Sequence, residues 1–226
     1  MLCTSKELID KYVCIRMKKL FYIFVCLTFV NCSLKPPVNI WERTKETNMI
    51  PLGSFIMMHD DSIKLQKLID EDESILNKPD GIGNSLLLNA AYHNAIKCTR
   101  LLIASGVEID KPNPFGETPL MRACYGNNFD IIKLLVEAGA NVNVMNRTGS
   151  TPLTFAIDGY CIEIKYTGGK QDSLYLPLEK TILYLTSKGA NVNLKGGEIQ
   201  VTALDMAKHF GASPIEKILI GHGAIE

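Results

Sequence analysis

The chain has 226 residues, 46% of them hydrophobic, and its 24 basic residues balance 24 acidic ones. Five bases and two acids fall within residues 1–31, which leaves 19 basic against 22 acidic, a balance of −3, for the remainder. A mildly acidic remainder without a Lys/Arg block offers no electrostatic footprint for nucleic acid. Four dispersed histidines (His59, His93, His209, His222) without Cys or carboxylate partners at ligand spacing argue against a metal centre, a cofactor site or a catalytic triad, so the chain is not expected to be an enzyme.

From the N-terminus, "LFYIFVCLTFV" runs uncharged from Leu20 to Val30 behind Lys18 and Lys19. At the helical rise this run reaches only about half of a hydrocarbon core, which takes roughly 20 residues to cross. A basic segment followed by a short apolar one is the layout of a secretory signal, and Met17 begins a complete one, which leaves residues 1–16 as sequence upstream of the start or as a longer basic segment. The residues "FVNC" then resemble a lipobox, in the relaxed form seen in spirochaetes, with Phe29 and Asn31 departing from the commoner Leu and Gly or Ala. The resemblance implies lipidation at Cys32 of a bacterial envelope protein, in the periplasm or at the surface. Ordinary signal cleavage and an uncleaved anchor are the alternatives. Residues 32–50, with Pro36, Pro37 and mixed charge, read as a tether.

The domain that follows, residues 51–226, repeats itself. "GNSLLLNAAYHNAIKCTRLLIASGVEID" starts at Gly83 and "GETPLMRACYGNNFDIIKLLVEAGANVN" starts 33 residues later at Gly116; Gly149 with "STPLTFA" restarts the pattern another 33 on. Thr118 and Thr151 suit an N-cap, and Pro119 and Pro152 a first helical turn that has no N–H bond to lose. Ala90, Ala91, Ala123 and Ala156 keep one helix of each pair thin, while Leu101, Leu102, Leu134 and Leu135 put bulk on the buried face of the other. Gly106, Gly139, Gly189 and Gly223 suit left-handed C-caps. These residues resemble the ankyrin repeat, which implies an all-α solenoid of stacked helix pairs with short hairpin fingers, made of units that cannot bury their apolar faces alone. The frame gives an N-terminal cap at 51–79, repeats at 80–112, 113–145 and 146–195, and a C-terminal cap at 196–226.

Gly189 follows Gly139 by 50 residues, so the third repeat holds 17 more than its neighbours, between its two helices. The stretch "YCIEIKYTGGKQDSLYLP" alternates Ile162, Ile164 and Tyr166 with charged residues before Gly168-Gly169, which predicts a β-hairpin. It is either a tolerated edge insertion or a projection that packs on a partner.

The ankyrin resemblance implies a single-chain binding module for another protein, with contacts from finger tips and inner helices. The matching positions are Ile82, Asn84, Tyr92 and His93, then Phe115, Glu117 and Tyr125, then Arg147, Thr148 and Ser150. Tyr92 and Tyr125, 33 residues apart, are expected on one strip with Phe115 beside it; isolated exposed aromatics are also ordinary. Asn89 and Arg122 stand at equivalent places where Phe155 and Met206 are apolar, and either bond to each other's loops or extend a polar concave face. Cys98 and Cys124 fit core positions, with a disulfide between them the lesser alternative in an oxidising compartment. Likeness to periplasmic bacterial ankyrin proteins further implies service to an enzyme, as an immunity protein against a secreted toxin or as support for an oxidative-stress enzyme.

Overall fold

The computed structural model describes residues 56–167, 171–196 and 200–225, with backbone alone at 161–175. The signal region 1–31, Cys32 and the tether 32–50 lie outside the described residues. The described helices are α1 (Ser62–Glu71), α2 (Leu86–Tyr92), α3 (Ile96–Ala104), α4 (Pro119–Tyr125), α5 (Phe129–Glu137), α6 (Pro152–Thr167), α7 (Gln171–Ser187), α8 (Ala203–His209) and α9 (Ser213–Gly221), with a 3-10 turn at Glu73–Asn77. Helices of seven and nine residues, such as α2 and α3, are too short to hold in isolation, so their stability comes from packing.

That packing forms two rows. Inner helices α2, α4, α6 and α8 each lie against the next, outer helices α1, α3, α5 and α7 do the same, and each inner helix pairs with the outer helix that follows it. The small side chains explain the close inner row: Ala90, Ala91, Ala123 and Ala156 are all fully buried, and Leu102 and Leu135 fill the space between rows. Each inner helix starts on a hydroxyl cap. Ser85, Thr118, Thr151 and Thr202 accept from the backbone N–H three residues on, and Asp205 returns a bond to the Thr202 N–H at 2.9 Å. The caps satisfy donors that a helix end otherwise leaves orphaned. The glycines that follow the outer helices, Gly106, Gly139, Gly189 and Gly223, all have left-handed φ, between 73° and 95°.

Adjacent units are also strapped through their loops. Asn143 Oδ1 accepts from Asn191 N (2.8 Å) while its Nδ2 donates to Gly189 O (2.9 Å), and Asn193 does the same to Ile225 N and Gly223 O. Asp110, equivalent to Asn143, accepts from Asn141 N at 3.0 Å. Its second oxygen, a carboxylate where the others carry an amide, is buried without a partner.

The hairpin expected over 162–176 is not what forms; the backbone described there, 162–167 and 171–176, is helical. α6 has 16 residues against seven in α4, and α7 has 17 against nine in α5, so the two excesses together take up the whole 17-residue insertion. The physical reason is cooperativity. A helix already nucleated at Pro152 propagates cheaply, whereas a two-stranded ribbon without a sheet to join is marginal. Alternation over five residues also places Ile162 and Tyr166 four apart, a helical spacing as much as a strand one. The lengthening needs one special residue. A Cβ on Gly159 would sit 1.9 Å from the Tyr125 carbonyl oxygen, so only glycine lets α6 run on past the end of α4.

Candidate functional site

The fingers are built from residues spaced 33 apart: Asp80, Asn113 and Asn146. Each uses its Oδ1 to accept from the backbone N–H two and four residues on, at 2.8–3.0 Å: Ile82 and Asn84, Phe115 and Glu117, Thr148 and Ser150. A backbone bond from the same residue's N–H to the carbonyl four residues on closes each loop. Short polar side chains that bond their own downstream backbone favour turns for this reason. The clasp fixes what stands at the tip. Ile82 is 67% exposed and Phe115 43% exposed, while Arg147 and Thr148 are exposed on the third finger.

Neighbouring fingers touch. A Cβ on Gly83 would meet Pro114 Cδ at 2.5 Å, one on Gly116 would lie 3.3 Å from Arg147 Cγ, and Arg147 N donates to Phe115 O at 3.1 Å. The structure thus brings Ile82, Phe115 and Arg147 into one contiguous edge.

Three expected contact residues are placed differently, and burial is the correction. Asn84 is 7% exposed and Ser150 6% exposed, both at the base of their fingers. Asn84 Nδ2 donates to Asp80 Oδ2 (3.2 Å) and its Oδ1 accepts from Asn113 Nδ2 (3.0 Å), which joins the first finger to the second. Glu117 is also turned inward, bonded to Arg122 and to Asn113 Nδ2. Asn89 and Arg122 each bond their own finger rather than each other's, Asn89 through Asp80 Oδ2 at 2.9 Å and Arg122 through Glu117. These bonds make the burial of the two side chains tolerable, although Arg122 Nε is buried without a hydrogen-bond partner.

Tyr92 and Tyr125 are half-buried rather than free-standing. Each reaches the position 30 residues on in the next inner helix: the Arg122 guanidinium lies 5.7 Å over the Tyr92 ring, and Phe155 meets Tyr125 edge to face at 6.5 Å. Arg122 is thus the cationic counterpart of Phe155 in one recurring stacking position. His93 packs edge to face on Tyr92 at 5.0 Å, and burial lowers its pKa below the ordinary imidazole value.

Cys98 and Cys124 are buried free thiols, so the disulfide alternative does not form. Burial, with Asp60 beside it, raises the Cys98 pKa to about 12, and burial raises that of Cys124 as well, so both stay protonated and inert. Asp60 has a separate task, accepting from Lys97 N and Cys98 N at the start of α3. Among the described residues no group of three or more His, Cys, Asp or Glu side chains is placed to hold a metal ion. Sequence reasoning missed the Asp80/Asn113/Asn146 clasps, although an Asx residue every 33 positions was the signal for them.

The family model for ankyrin repeats (three copies) matches residues 86–164, from the start of α2 into α6. The stacked helix pairs there match ankyrin repeats, in general a non-catalytic scaffold for protein–protein interaction. No curated protein matches the chain.

Proposed function

We propose that the chain is a non-catalytic module that holds another protein against its finger edge, tethered to a bacterial cell envelope by lipid on Cys32. The observation that carries the binding role is the finger edge itself. Asx clasps and the half-buried Asp80–Asn89 and Glu117–Arg122 contacts fix the loops from within, and what they present outward is apolar: Ile82 and Phe115. A rigid loop holding large apolar side chains in water costs less ordering on association than a mobile one. Tyr92, His93 and Tyr125 line the adjoining inner helices as secondary contacts, while Asn84 and Glu117 hold the fingers in shape.

Affinity capture with the full-length chain in detergent tests this reading. Ile82→Ser and Phe115→Ser should each lose the captured protein while Lys133→Ala on the outer face keeps it; equal capture by all three would remove the finger edge as the interface. The lipid is tested separately. Labelled palmitate should enter the wild-type protein and not Cys32→Ser, and equal labelling of both would discard the anchor.

A second reading is favoured by the length of α6 and α7, which exceed α4 and α5 by nine and eight residues. A helical extension offers a partner a surface that the regular units lack. Deleting residues 162–176 separates the two readings, because loss of capture in that deletion with Phe115→Ser unaffected would move recognition to the extension.

A further inference from the structure

The finger edge is apolar at one end and cationic at the other, and the acidic side chains of the first three fingers are all taken up by the fold. Asp80 accepts from four donors, the backbone N–H of Ile82 and Asn84 and the side-chain amides of Asn84 and Asn89. Glu117 is held by Arg122 and Asn113. Arg147, by contrast, is exposed and makes no ion pair among the described residues, although its Cγ lies against the second finger beside Phe115. Lys111, on the loop before the second finger, uses its ammonium only on the Asn77 carbonyl at 3.3 Å. Lys111 shares its loop with Glu108 and Asp110, so the exposed cation without an acidic neighbour on its own finger is Arg147.

We propose that this edge takes an extended acidic peptide segment of the partner, which seats an apolar side chain against Ile82 and Phe115 and sets a carboxylate on the Arg147 guanidinium. The proposal rests on the protein-binding reading and names the chemistry of that partner. The spacing follows from the fold. Units stacked at helix-packing distance are about 8–10 Å apart, and an extended chain advances about 3.3 Å per residue. An apolar anchor at the second finger and a carboxylate at the third therefore stand about three residues apart. A guanidinium fork matches a carboxylate in both geometry and charge, and an ion pair at the rim mainly sets which partner is accepted. A basic segment meets like charge at Arg147, with no acid left free on the first three fingers to receive it.

The test is selection of displayed random peptides on the full-length chain in detergent. Wild type should enrich sequences with an apolar residue about three positions from Asp or Glu. A synthetic peptide of that consensus should bind about fivefold more weakly to Arg147→Gln, more weakly still to Arg147→Glu, and progressively less as salt is raised. Selection on Arg147→Glu should shift toward Lys and Arg. Phe115→Ser should lose the apolar preference and keep the acidic one. Unchanged melting of the variants excludes unfolding as the cause. Enrichment of basic or uncharged sequences, no enrichment, or indifference to Arg147→Glu overturns the acidic-segment proposal. In each of those cases, protein capture lost on Ile82→Ser would still uphold the protein-binding reading, whereas capture unaffected by every finger variant would sink that reading too.

Discussion

The first two repeats and the third solve the same stacking problem with different chemistry. In the first two, a polar side chain sits under the finger, Asn89 or Arg122, bonded outward to its own loop. In the third, Phe155 fills the equivalent place, fully buried, and the finger base is closed by hydroxyls, with Thr154 Oγ1 donating to Thr151 O at 2.9 Å. The helices differ as well, 16 and 17 residues in the third unit against seven and nine in the second. The stack therefore accepts large changes along the helix axes. Where the α4 and α6 backbones meet at Gly159 it leaves no room for a side chain.

The contact that most sharply divides the units is Gly159 against the Tyr125 backbone. Positions 93, 126 and 159 are equivalent in the repeat, yet only at 159 does the helix continue, and a Cβ there would meet the Tyr125 carbonyl oxygen at 1.9 Å and its carbon at 2.8 Å. Backbone cannot rotate away as a side chain can, so α4 and α6 would have to separate. Gly159→Ala is expected to cost about 3 kcal/mol by denaturant titration, the upper end of overpacking penalties. In an exposed helix interior the same change stabilises by about 1 kcal/mol, so the sign alone decides whether this contact limits the extension.

Next in size is the pair of tyrosines. Tyr125 packs on the core and on Phe155, whereas the Tyr92 ring lies under a guanidinium that is itself held by Glu117. Tyr125→Ala should therefore lose about 2 kcal/mol, below the range for a fully buried aromatic, and Tyr92→Ala about half that. Equal losses in thermal or denaturant melts would mean that the aromatic and cationic stacking positions are energetically interchangeable.

These two contacts also show what the sequence discloses and what it withholds. Repeat period, caps and core all follow from residue types at fixed spacing, because Thr118, Pro119, Ala123, Leu135 and Gly139 act locally or on the neighbouring unit in the same way each time. Inward rotation of Asn84 and Glu117 is not readable in that manner. It depends on Asn89 and Arg122 arriving beneath them from a helix turn away. The conformation of 162–176 is hidden for another reason, since five alternating residues satisfy both periods and the deciding influence is the helix already begun at Pro152. Gly159 carries no signal of its own in the sequence, since its meaning lies in a backbone 34 residues earlier.

Between the second unit and the third lies the strap in which Asn143 both accepts and donates; the first unit has Asp110 at that place. Asp110 Oδ1 is buried with no donor, where the equivalent amides of Asn143 and Asn193 bond to Gly189 O and Gly223 O. Asp110→Asn should complete the strap and stabilise the domain by about 1 kcal/mol, the net worth of one hydrogen bond and relief of an unsatisfied acceptor. Asn143→Asp should lose a similar amount in the same melts. No gain from the first alongside a loss from the second would show that the first strap differs in more than its one atom.

The smallest effect expected is again at the equivalent positions 93, 126 and 159, where the first unit alone carries a side chain. His93 caps α2 with its backbone N–H on the Asn89 carbonyl at 3.0 Å, its ring against Tyr92, and burial lowers the imidazole pKa. The folded protein therefore takes up a proton on this imidazole less readily than the unfolded chain does. Above the ordinary imidazole pKa both states are neutral and no stability is lost. As pH falls through about 6.5 the unfolded chain gains a proton that the folded one resists, so the folded state weakens until pH has passed below the folded value. His93→Gln keeps a polar side chain of similar reach and removes the titration. Melting midpoints followed between pH 7.5 and 5 should fall less steeply in this variant than in wild type, although both share the carboxylate losses at lower pH. Parallel curves would show that the His93 ring is as well hydrated when folded as when unfolded. The first unit would then resemble the second in having nothing at this position that senses protons, and the difference among the three units would reduce to their packing.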